Sequence, residues 1–183
     1  GFAALALGNW KLMFPLFAVI TFISTLWLIL IPIQESKQNI QTTTISSSLK
    51  LLGNSTILIL FLGILFVVGV DVGMNTVTPK FLMERSGMVI EKAGLGTSIY
   101  FAARTAGALI GSILLTKYSP KLFFRVSIIL AIVALVIMIF LENSIAIFIA
   151  VAIIGFSIAN IFSIIFSLAL QKFPDRVNEI SGL

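Results

Sequence analysis

The chain has 183 residues, 59% of them hydrophobic and 10% charged, with a mean hydropathy of +1.16, whereas soluble domains run near roughly a quarter charged, so the composition excludes a water-soluble globular fold and points to an all-α polytopic membrane protein. Cysteine and histidine are both absent, which removes disulfides, thiolate chemistry, haem ligation and the common zinc sites, so no cofactor or metal is expected. The net charge of +5 comes from Lys and Arg scattered between apolar runs rather than gathered on one face, which reads as membrane topology and speaks against a nucleic-acid partner.

A hydrocarbon core roughly 30 Å thick takes roughly 20 residues per helix, and five spans of that kind fit the sequence. The first runs from about Leu12 to Ile33, with Trp10 at an interfacial belt position and no charge before Glu35. Residues 34–50, QESKQNIQTTTISSSLK, are polar, lack apolar periodicity and read as a linker with room for a short surface helix. The second span, Leu51 to about Val77, contains Asp71 and is expected to stop before Pro79, because proline disfavours helix in the residue ahead of it. The third, Ala93 to Thr116, contains Arg104. After the basic turn KYSPKLFFR the fourth covers Val126 to Leu141, and Glu142 and Asn143 turn directly into the fifth, Ser144 to about Leu170. Such short connections force antiparallel neighbours. The first residue is Gly rather than Met and the last residues stop inside a polar segment, so the sequence reads as an internal fragment.

Lys37, Lys50, Lys117, Lys121, Arg125, Lys172 and Arg176 fall on one side of these spans, against Lys11, Lys80, Arg85 and Lys92 on the other. The excess of cations places the 34–50 linker in the cytoplasm.

Asp71 and Arg104 are the charges expected inside the bilayer. Each costs roughly 2.5 to 3.5 kcal/mol at a helix centre, so each needs a partner or a watery cavity. Measured from Pro79 and Gly94, they lie roughly 12 Å and 15 Å below the same membrane side. Matching depth on antiparallel neighbours makes an ion pair feasible, either as a structural bridge that fixes helix rotation or as part of a polar cavity for substrate or a coupling ion. Asn75 lies one turn beyond Asp71, while Tyr100 and Thr97 precede Arg104 by one and two turns. Aromatic and hydrogen-bonding groups together suit a sugar. In the fifth span Ser157, Asn160, Ser163 and Ser167 form a polar stripe, open to interhelical hydrogen bonding or to substrate contact. Gly107 and Gly111 form a GxxxG pattern expected to pack helices closely, and Gly69 and Gly73 bracket Asp71 with the same potential. No base, phosphate loop or carboxylate pair suggests an enzyme, and nothing resembles a channel filter.

Three stretches carry a family resemblance: FVVGVDVGMNTVTPKFL (Phe66 to Leu82), YFAARTAGALIGSILLTKYSPK (Tyr100 to Lys121) and GFSIANIFSIIFSLAL (Gly155 to Leu170). They resemble the seventh, eighth and tenth helices of major facilitator superfamily sugar transporters of the fucose permease and glucose/galactose transporter type. The resemblance implies helices six to ten of twelve: residues 1–33 as the last helix of the N-terminal half, 34–50 as the cytoplasmic linker, and 51–183 as the first four helices of the C-terminal half. It implies a multi-pass protein of the bacterial inner membrane that moves a monosaccharide with protons by alternating access, its partners being that solute, protons, the lipid bilayer and the remaining helices of the chain. Asp71, Asn75, Tyr100, Arg104 and Asn160 would then line or brace the cavity.

The sequence departs from the family pattern in three places. Asp71 stands where Glu is common, the eighth-helix arginine is Ala108 here with Arg104 one turn earlier, and the tenth-helix proline is Ser163. Moving the cation one turn keeps its helix face and leaves room for an anionic solute. Two rivals therefore stay open: an organic-anion or drug carrier on the same scaffold, and a non-transporting sensor or remnant.

Overall fold

The computed structural model describes residues 10–31 and 45–183. The chain divides into two units, Gly1–Thr42 and Thr43–Leu183. In the first, a 3-10 turn (Trp10–Leu12) leads into helix α1 (Met13–Leu30). None of the residues of α1 is buried within the unit, as suits a helix whose solvent is lipid. The end of the expected first span at Ile33, and linker residues 34–44, lie outside the described residues.

The second unit is helical throughout its described length: α2 (Ile45–Leu51), α3 (Ser55–Ser86), α4 (Ile90–Ala93), α5 (Leu95–Leu115), α6 (Pro120–Ile139), α7 (Ser144–Ile158), α8 (Ile161–Lys172) and α9 (Val177–Ser181), with a 3-10 turn at Pro174–Arg176 before α9. Five stretches are long and apolar enough to cross a membrane: α1, α3, α4 with α5, α6, and α7 with α8. The expected all-α, five-span architecture is what the chain adopts.

Helix starts follow their caps. The Asn54 side chain accepts from the backbone of Thr56 at 2.9 Å and of Ile57 at 3.4 Å. Asn143 does the same for Ile145 and Ala146 at 2.9 and 3.2 Å. Ser119 accepts from Leu122 with Pro120 in the first helical position. Each cap satisfies amide groups that a helix leaves orphaned, a requirement sharpened where water is scarce. Gly87, at φ 64°, closes α3 in the left-handed conformation.

Several boundaries differ from expectation, the first being the start of the second span, which is at Ser55 because Leu51 ends α2 and a turn capped by Asn54 follows. Helix α3 does not stop before Pro79 but runs through it to Ser86. Helix α6 starts at Pro120, so Lys121 and Arg125 belong to its first two turns instead of to a basic loop. The fifth span is not one helix, because it breaks at Ala159 and Asn160 into α7 and α8.

Helix α7 is the centre of the second unit, packed by α3, α5 and α6. Its residues Ile147, Val151, Ile154 and Ile158 form a buried stripe flanked by buried Ala150, Gly155 and Ser157, while Ile145 and Ile149 on the opposite side are exposed. A helix apolar all round but buried on only one side packs the bundle with that side and turns the other outward. A smaller cluster of Leu51, Ile57, Ala169 and Ile180 joins α2 and α9 to the ends of α3 and α8. Lys172 Nζ donates to Thr56 Oγ1 at 3.2 Å at that same end. At the opposite end Arg85 donates to the Ile139 carbonyl at 3.2 Å, satisfying the terminus of α6, and lies 5.7 Å from the Phe81 ring centroid.

Candidate functional site

Asp71 on α3 and Arg104 on α5 meet: Arg104 Nη1 stands 2.5 Å from Asp71 Oδ2, with side chains 30% and 18% exposed respectively. The Tyr100 hydroxyl donates to Asp71 Oδ1, so both carboxylate oxygens are engaged. Because α3 continues to Ser86 and α4 begins at Ile90, the two charges lie deeper than the sequence estimate. They sit roughly 22 Å and 21 Å along their helices from that turn. The depths still match, which places a neutral ion pair midway along both spans and offsets the cost of an isolated charge in lipid.

Tyr100 is fully buried, so in this conformation it offers no surface to a solute and acts on Asp71 instead. It is held in place from behind. A Cβ built on Gly155 of α7 would come 2.5 Å from the Tyr100 carbonyl oxygen and 3.1 Å from its ring, and Phe101 packs edge-on against that ring at 5.3 Å. The absence of a side chain at Gly155 is thus what lets α5 and α7 approach.

Asn75 takes part through its backbone. Pro79 has no N–H to give the carbonyl four residues earlier, and that carbonyl belongs to Asn75. Thr97 Oγ1 of α5 donates to it at 3.2 Å. This is how a spanning helix carries a proline without stranding a polar group. The Asn75 side chain itself is exposed. Just beyond it, Thr78 and Leu82 press on Gly96, where a Cβ would meet each at 2.7 Å, and the Thr78 hydroxyl is buried without a hydrogen bond among the described residues.

Asn160 lies elsewhere. It is buried, at the break between α7 and α8, and its Nδ2 donates to the Gly107 carbonyl at 2.8 Å. Gly107 faces the Phe156 carbonyl, 2.5 Å from where a Cβ would sit, and a Cβ on Gly111 would collide with the Asn160 amide. No hydrogen bond joins Asn160 to the Asp71 cluster among the described residues. The polar stripe also divides. Ser157 bonds back to the Ile153 carbonyl at 2.6 Å, while Ser163 and Ser167 are exposed, Ser167 accepting from Gln171 at 3.1 Å. Gly69 and Gly73 have open space where a Cβ would go, so the close approach expected there is not made among the described residues.

The sequence reasoning passed over Gly96 and Gly155. Gly155 had a signal, since Gly155 and Ala159 form a small-xxx-small pair. Gly96 had none of that spacing.

No curated protein and no solved structure matches the chain. A family model described as Major Facilitator Superfamily matches residues 1–183. With that match over the full length the chain belongs to the major facilitator superfamily of membrane transporters.

Proposed function

We propose that the chain forms part of a proton-coupled monosaccharide transporter of the fucose permease and glucose/galactose type, with its spans as helices six to ten. In that assignment 34–50 is the cytoplasmic linker and the membrane is the bacterial inner membrane. Asp71 and Arg104 border the solute path, Tyr100 positions Asp71, Thr97 and Asn75 shape α3 beside it, and Asn160 braces the helices behind it.

The observation that carries the reading is the closed Tyr100–Asp71–Arg104 cluster. Arg104 is already neutralised by Asp71, so a neutral polyol can hydrogen-bond to the pair's outer edge without opening it. An anion would have to displace Asp71 and strand a carboxylate in a poorly solvated place. A proton delivered to Asp71 would loosen its hold on Arg104, which gives proton coupling a physical route.

A second reading is an organic-anion carrier. It is favoured by Arg104 being 30% exposed with guanidinium donors left over beyond the one turned to Asp71.

The test is uptake of labelled sugars and labelled monocarboxylates by the twelve-helix protein in proteoliposomes, with and without an imposed proton gradient. Gradient-driven sugar accumulation, lost in Asp71→Asn, is the expected result. Anion flux abolished by Arg104→Gln, with no sugar moving, would replace the sugar reading by the second.

A further inference from the structure

Helix α6 begins at one end of the bundle with two exposed cations one turn apart, Lys121 and Arg125. Neither has an ion pair or a side-chain hydrogen bond among the described residues, whereas Lys80, Arg104 and Arg176 are each paired with a carboxylate. Beneath them lies an apolar groove, walled by Phe124, Ile128 and Ile129 of α6 and Leu168 of α8, with Lys121 and Arg125 at its rim. Ile128 and Ile129 lie roughly 10 to 12 Å further along the helix than Lys121.

Cations that only orient a helix need no groove, and a groove that only packs another helix needs no cations at its rim. Here the two coincide in a definite order, charge at the helix start and hydrocarbon inward. That is the profile of a phospholipid standing in its leaflet. Among the described residues no acidic side chain lines the groove, so nothing described there complements a choline or ethanolamine group, and the pair of cations selects a headgroup with net negative charge. Arg125 can hold a phosphate with two parallel N–H donors, and Lys121 can reach it as a flexible point charge.

We propose that the α6/α8 groove binds one anionic phospholipid, its phosphate between Lys121 and Arg125 and an acyl chain along Phe124, Ile128, Ile129 and Leu168. This assignment is independent of the transported solute.

The test is native mass spectrometry of the purified protein titrated with phosphatidylglycerol or with phosphatidylcholine of the same chains. One phosphatidylglycerol should be retained in preference to phosphatidylcholine. Lys121→Gln with Arg125→Gln should weaken it roughly 25-fold, at about five-fold per cation. Ile129→Trp, which keeps the charge and fills the groove, should also displace it, and Lys92→Gln, the loss of one cation in α4 away from the groove, should leave it bound. Equal retention of the two lipids would overturn the proposal. So would survival of binding in Ile129→Trp, which would mean diffuse attraction, or its displacement by millimolar inorganic phosphate, which would mean a site for free phosphate.

Discussion

Thr97 supplies to the Asn75 carbonyl the hydrogen bond that Pro79 withholds. A proline that would end a helix in water is carried through the span because the neighbouring helix makes good the missing donor. Thr97→Val should therefore destabilise the protein by about 1 kcal/mol, in the range of interhelical hydrogen bonds in membranes. In a Pro79→Ala background, where α3 satisfies its own carbonyl, the same substitution should cost nearly nothing. Thermal unfolding in detergent of the four proteins of this cycle measures the coupling, and additive effects would show that Thr97 and Pro79 are unrelated.

The Asp71–Arg104 pair makes a different demand. Arg104→Gln leaves a mostly buried carboxylate held by Tyr100 alone, and Asp71→Asn leaves an unpaired guanidinium. Each should cost about 2 to 4 kcal/mol, below or at the level of fully buried pairs because Arg104 keeps some exposure. The double variant should recover more than half of the summed loss, since two neutral amides can hydrogen-bond to each other. Unfolding midpoints of the three variants decide this, and simple addition would mean the two side chains are not coupled.

The glycines separate into two classes with opposite predicted signs. Gly155→Ala and Gly107→Ala push a methyl against the backbone oxygens of Tyr100 and Phe156, which cannot rotate away, so each should cost about 2 to 3 kcal/mol. Gly69→Ala and Gly73→Ala meet nothing and should be neutral or stabilising by up to about 1 kcal/mol, the helix-propensity gain. Comparing expression and detergent stability of the four single variants checks the division. Loss of stability at Gly69 or Gly73 would identify them as contact points for other helices.

The spans and the ion pair were legible because lipid makes their signals one-dimensional. Apolar length reads directly as crossing, and a charge such as Asp71 or Arg104 stands out against a hydrocarbon background; residue counting matched the two depths to each other but set both too shallow, because α3 runs on past Pro79. What the sequence hid depended on another helix. Pro79 looks like a terminator until Thr97 is seen beside it. The break at Ala159 and Asn160 has no proline or glycine to announce it, and its Asn160 amide finds its acceptor on α5 rather than on its own helix. Likewise Tyr100 looked like a cavity aromatic from its place one turn before Arg104. Only the depth of its burial against Gly155 shows that it reaches the carboxylate from behind.

Asn160 tests whether the α7/α8 break braces the bundle or contacts solute. Its amide spans from the break to the Gly107 carbonyl and covers Gly111, so Asn160→Ala removes one hydrogen bond and opens a small void, while the Gly107 carbonyl keeps its place in the α-helical ladder. The expected loss is about 1 to 2 kcal/mol of stability. Asn160→Leu is nearly the same size but puts a branched apolar carbon where the planar amide lies flat over Gly111. That should force α5 and α7 apart and cost more than Ala. A bracing residue predicts this order, Leu worse than Ala in thermal unfolding, with solute affinity unchanged in Asn160→Ala. A solute contact predicts the reverse emphasis, with stability near that of the parent and transport KM raised several-fold in both variants.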